Sequence, residues 1–166
     1  ALILTLAMTG MRVSQIHELD INTFILGEDY ITITTQMQKQ TYTHTDELND
    51  VKVLPRDASM AGINYYDVMV EYLQQRQHVQ KTDTLFTTRH GDALTIRGIQ
   101  KVIMKYNTLF DTDITAHTFR HNLITRVVAK HGIAIGAAIA GHSSIQTTMK
   151  YVKKDRLNTE MAYREL

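Results

Sequence analysis

Three short segments carry side chains that are able to work together chemically. They are Thr9-Gly10-Met11-Arg12-Val13-Ser14, Ala116-His117-Thr118-Phe119-Arg120-His121, and Ala140-Gly141-His142-Ser143-Ser144-Ile145-Gln146-Thr147-Thr148-Met149-Lys150-Tyr151. Guanidinium groups offer paired N–H donors that suit the non-bridging oxygens of a phosphate. A phenol is a poor nucleophile at neutral pH, since its ordinary pKa lies near ~10, and needs neighbouring cations or a base to lose its proton. Imidazoles handle protons in the neutral range. Arg, His and Tyr together therefore suit substitution at phosphorus, where negative charge deepens as the nucleophile adds.

Several chemistries are disfavoured. The chain has no Cys, which removes disulfides, thiolate metal sites and cysteine catalysis. His117 and His121 are four apart, a metal-ligand spacing on a helix, but the Glu of an H-E-x-x-H pattern is missing. A helical zinc hydrolase stays as a remote rival, and no metal or cofactor is expected. His44, His78, His90 and His131 have no such context and read as solvent-facing.

The charge is uneven. Residues 1–96 hold 7 Lys+Arg against 12 Asp+Glu, whereas residues 97–166 hold 11 against 5. A basic half is what a polyanion-binding face needs. No apolar run approaches the ~20 residues of a membrane span, so no membrane partner is expected. The apolar start, Ala1 to Met8, has no basic segment before it and does not read as a signal peptide. With no initiator Met, the chain reads as one domain, 1–166, from a longer protein.

The three segments, in this order, resemble the signature boxes of the tyrosine recombinase (phage integrase) family: an Arg after a T-G-x turn, then H-x-x-R-H, then G-H with Tyr nine residues later. The boxes span Thr9 to Tyr151, nearly the whole chain. The resemblance implies that Arg12 and Arg120 clamp the scissile phosphate, that His117 and His142 donate hydrogen bonds or move protons, and that Tyr151 is the nucleophile. It implies a 3′-phosphotyrosine intermediate made without ATP or metal, and site-specific recombination, integration or excision. The partners it implies are double-stranded DNA attachment sites, a homo-tetramer on paired sites and DNA-bending accessory proteins, in the cytoplasm of a bacterial host, with the nucleoid. Rival readings are type IB topoisomerase-like relaxation and a DNA-binding module that has lost catalysis.

The chain departs from the family pattern twice. Gln15 stands where an acidic residue is usual, and an amide can still hydrogen-bond. The family's general-acid Lys lies in a hairpin turn before a strand, yet residues 45–50 contain no Lys. Lys39 is the preferred candidate and Lys52 the alternative; Lys52 reads more as a strand-surface residue.

The elements that must hold these residues make a mainly α domain with a small antiparallel sheet (α+β), the tyrosine-recombinase catalytic-core-like fold. The sequence predicts helices over 1–9 with Gly10 as the stop, and over 14–19 with Ser14 as cap. It predicts strands over 30–38 and 51–54 with a loop between, the second halted by Pro55. A helix is expected over 59–78 with Ile63, Tyr66, Met69, Val70 and Leu73 inward. Leu85-Phe86-Thr87 reads as a short strand or turn. A helix capped by Thr95 should run to Leu109 with Ile96, Ile99, Val102, Ile103 and Tyr106 on one face. Another should run from Thr115 to His131, ending at Gly132. Residues 133–140 are nearly all apolar and should be buried. Ser143 should cap a short helix, and a last helix is expected over 155–166 with Leu157 and Met161 on one face; the resemblance implies that on paired DNA sites it docks on a neighbouring copy, with folding back on its own domain as the alternative.

Overall fold

The computed structural model describes residues 1–36, 49–79, 81–142 and 145–152. They are mainly helical with a small antiparallel sheet, and they form two compact units, Ala1–Leu123 and Ile124–Leu166. No helix among the described residues is long and apolar enough to cross a membrane.

In the first unit α1 (Leu2–Thr9) stops at Gly10, whose left-handed backbone (φ 62°) turns its N–H back to the carbonyl of Leu6 at 3.0 Å. The next helix, α2 (Val13–Glu18), is entered through Arg12 and not through Ser14. The reason is Gln15, whose side-chain oxygen accepts the Arg12 backbone N–H at 3.0 Å and satisfies a donor at the helix start. A 3-10 turn over Ile21–Thr23 leads into β1 (Phe24–Leu26), a strand the sequence does not announce.

The sheet order is β1, β2 (Tyr30–Gln36), β3 (Asn49–Pro55), all antiparallel. Phe24 pairs with Ile33, and Ile31 with Leu54, and all four are buried on one face. The other face carries the Ile25–Thr32–Val53 row. β3 begins two residues before the expected strand and takes in Pro55; at an edge strand's end a residue without N–H costs little. Residues 37–48, with the remainder of the expected first strand and most of the loop, lie outside the described residues.

The helix expected from Ser59 begins only at Tyr65. Residues 59–64 form a hairpin, β4 (Ser59–Met60) against β5 (Ile63–Asn64), turned by Ala61 and Gly62 at positive φ. Asn64 then caps α3 (Tyr65–Gln77) by accepting the Asp67 N–H at 3.1 Å. Ile63 is exposed as a result, and Tyr65 is the buried anchor beside Met69. Leu85 and Phe86 are buried, and Thr87 makes a single bridge to Ala93.

Thr95 caps α4 (Ile96–Phe110) through the Gly98 N–H. Its buried stripe is narrower than expected: Ile99 and Ile103 are buried, Ile96 and Tyr106 exposed. Thr115 and Thr118 cap the start of α5 (Ala116–His131) reciprocally, each hydroxyl accepting the other's N–H.

In the second unit the chain turns at Gly132 (φ 85°) into α6 (Ile133–Ala140), then at Gly141 (φ 60°), and continues to α7 (Ile145–Met149). Ile124, Val128, Ala140 and Tyr151 form its core. The expectation that α6 is buried holds for one side only: Gly136, Ala137 and Ala140 are buried, but Ile135 is 48% exposed. Only one side of this short helix packs, and it packs closely; a Cβ at Gly136 would lie 2.3 Å from Val128 Cγ2. Ser143 and the expected helix over 155–166 lie outside the described residues.

Candidate active site

In the first unit the Gly10 turn delivers Arg12, exposed, to the start of α2. Arg120 projects from α5 and is only 6% exposed. Its Nη1 donates to the carbonyl oxygen of Gly10 at 2.8 Å. Two segments far apart in sequence therefore meet at one turn. His117, three residues before Arg120, shares its side of the helix and is exposed, as is His121. Gln15 is buried; besides receiving the Arg12 N–H, its amide donates to Thr35 Oγ1 on β2 at 3.4 Å. The amide thus ties the Arg12 turn to the sheet.

Lys39 lies outside the described residues. Lys52 pairs with Ile33 across β2 and β3. Directly opposed residues share a face, so Lys52 stands on the core-facing side, half-buried, and not on the strand surface where the sequence suggests it. No group of three or more His, Asp or Glu that could hold a metal occurs among the described residues. His78, His90 and His131 are exposed, as expected, and His44 lies outside the described residues.

The second unit holds His142 and Tyr151. Their rings stack with centroids 6.2 Å apart and planes 23° from parallel. Tyr151 is 3% exposed, and the Lys150 ammonium lies 5.1 Å from its ring centre. His142 Nδ1 is 2.8 Å from Thr148 Oγ1, and Thr148 is fully buried. The fold thus brings a phenol, an imidazole and an ammonium together within ten residues of chain. The sequence pattern does not single out Thr148 or Lys150; the clue to Thr148 is its place three residues before Tyr151.

Residues 1–157 match the family model described as the phage integrase family. Among curated proteins, the chain is 28% identical over 150 residues to the tyrosine recombinase XerC of Neisseria gonorrhoeae, covering 89% of this chain and 44% of that protein. It is 26% identical over 160 residues to the tyrosine recombinase XerD of Staphylococcus epidermidis, covering 93% and 50%. The chain spans about half the length of the curated relatives it matches. Its fold matches the crystal structure of the XerH site-specific recombinase bound to difH substrate, with a TM-score of 0.70, 24% identity, and coverage of 98% of this chain and 44% of that one.

Proposed function

The chain belongs to the phage integrase family of tyrosine recombinases, and on that premise we propose that it cuts and rejoins DNA at specific sites through Tyr151. In this reading Arg12 and Arg120 donate to the non-bridging oxygens of the scissile phosphate and stabilise charge that grows in the transition state. The Tyr151 oxygen, relieved of its proton, adds to phosphorus as the bond to the 5′ oxygen breaks. That oxygen leaves as a hydroxyl with a proton from Lys39, or from Lys52. The product is a 3′-phosphotyrosine, and the step runs backwards when another 5′ hydroxyl attacks. His117 and His142 donate hydrogen bonds to the phosphate or move the phenol's proton. One phosphodiester is exchanged for another, so no ATP is consumed.

The observation that carries this reading is the stacking of His142 on Tyr151, nine residues apart in the sequence. Double-stranded DNA as partner is supported by the basic half of the chain and by the solved XerH recombinase being bound to its difH substrate. The same reading has four copies acting on two paired sites, with DNA-bending accessory proteins, in the cytoplasm of a bacterial host.

The test is a nicked duplex whose short end diffuses away after cleavage, built on the sequence the protein selects from a random DNA pool. A covalent adduct mapped to the Tyr151 peptide, absent in Tyr151→Phe with DNA affinity retained, is the expected result. An adduct that survives Tyr151→Phe moves the nucleophile to another tyrosine. Relaxation of supercoiled DNA lacking the selected site would favour the topoisomerase reading.

A further inference from the structure

Thr148 joins three parts of the second unit. Its carbonyl oxygen accepts the Tyr151 N–H at 2.9 Å. Its methyl lies toward Gly136 of α6, where a Cβ built on the glycine would sit 3.6 Å from Thr148 Cγ2. Its hydroxyl is 2.8 Å from His142 Nδ1. The residue is fully buried, where a hydroxyl needs a partner.

We propose that Thr148 is a positioning residue for the cleavage step: its hydroxyl donates to His142 Nδ1 and so keeps the imidazole proton on Nε2. The proposal rests on the recombinase reading above. A neutral imidazole has one donor and one acceptor nitrogen, and the bond made by one decides the role of the other. Phosphate oxygens accept hydrogen bonds only. A neutral His142 facing them is useful with Nε2–H outward and Nδ1 as acceptor, the state a donating hydroxyl selects. The same residue holds the Tyr151 backbone, so imidazole and phenol are set from one point. This coupling fits the ring stacking at 6.2 Å.

The experiment compares wild type with Thr148→Val, which keeps the branched shape and loses the hydroxyl, and with Thr148→Ser, which keeps the hydroxyl and loses the methyl. Nitrogen-15 NMR of the histidine rings, assigned with a His142→Asn control, reads the tautomer without DNA. Adduct formation on the nicked duplex, followed across pH, reads the chemistry. Wild type and Thr148→Ser should show the Nε2–H form and similar rates. Thr148→Val should gain the Nδ1–H form, slow by about tenfold or more and shift its pH profile. A wild-type ring protonated at Nδ1, a Thr148→Val enzyme with unchanged rate and profile, or a Thr148→Ser enzyme as slow as a valine variant would each overturn the proposal. Should Thr148→Val fail to fold by circular dichroism, the serine variant and the wild-type tautomer still decide. A wild type that forms no adduct at all refutes the recombinase reading and the catalytic role with it, while the spectrum separately reports the Thr148–His142 pairing.

Discussion

Arg120 Nη1 and the carbonyl oxygen of Gly10 are joined by a 2.8 Å hydrogen bond across 110 residues of sequence. Gly10 is left-handed, and a Cβ there would come within 2.9 Å of Leu123 Cδ2, one turn of α5 beyond Arg120. The turn that sets the direction of α2, and with it Arg12, is therefore braced by the same helix that carries His117 and Arg120. A guanidinium has five N–H donors. The bond to Gly10 uses one of them and restrains how the guanidinium can turn.

The two arginines should separate in their effects. Arg12→Ala and Arg120→Ala should each raise the cleavage barrier by about 2–4 kcal/mol with a much smaller loss of DNA affinity. Arg12 is exposed, so its loss should leave the melting temperature unchanged. Arg120 is buried, and its removal takes a donor from the Gly10 carbonyl at about 1–3 kcal/mol of stability. Single-turnover adduct formation and thermal melts on the same samples check both. Full activity in Arg120→Lys would count against a paired clamp, because an ammonium is a point charge.

Local signals made much of this legible. Gly10, Thr95 and Gly132 mark helix ends through backbone geometry and side-chain caps that depend on neighbours in sequence, and α1, α4 and α5 lie where the pattern places them. β1 is three residues long, and β4 and β5 two each, too short for any period to register. Ala61 adopts a positive φ that its side chain does not advertise. The face taken by Lys52 depends on its register with Ile33, and the Thr148–His142 bond depends on how α7 closes. Those facts belong to tertiary structure and have no local sequence signal.

Tyr65 gives a test of stability against pH. Its hydroxyl is 2.9 Å from Thr5 Oγ1, and burial raises its pKa well above the ordinary 10.0, with the Thr5 hydrogen bond opposing in part. The unfolded chain releases this proton from about pH 10 upward while the folded chain keeps it. Stability contributed by the neutral phenol is therefore full below pH ~10 and declines as pH rises beyond. Tyr65→Phe should cost about 1 kcal/mol at neutral pH through the lost hydrogen bond, and should flatten part of the alkaline decline. Urea midpoints for both proteins across the alkaline range decide it; parallel curves would refute the burial argument.

The general acid can be found by changing the leaving group. Lys39→Ala should cleave normal DNA poorly and recover on a duplex with sulfur at the 5′-bridging position, since a thiolate leaves without a proton. Lys52, half-buried on the core-facing side of the sheet, should when changed to Ala show no selective recovery. Recovery in Lys52→Ala and not in Lys39→Ala reverses the assignment, and recovery in neither assigns the proton to a histidine or water.

The basic half of the chain has one regular feature that can be tested by salt. Arg97, Lys101 and Lys105 recur every four residues along α4, all are exposed, and the helix contains no Asp or Glu. At 100° per residue they form one stripe, on the opposite side of the helix from the buried Ile99 and Ile103. A helix anchored by two isoleucines and presenting three cations outward is suited to a line of DNA phosphates. If it lies on DNA, each Ala substitution should weaken binding to selected and random duplexes by similar factors. Each should also lower the slope of log affinity against log salt by about 0.9. Since the three side chains are exposed, the fold should be unaffected, and circular dichroism should show that. An Arg97→Ala variant that loses preference for the selected site more than general affinity would mean that Arg97 reads base edges. An unchanged salt slope in the triple variant would leave the stripe as a solvated helix face, and the DNA contacts would have to come from other Lys and Arg of the chain.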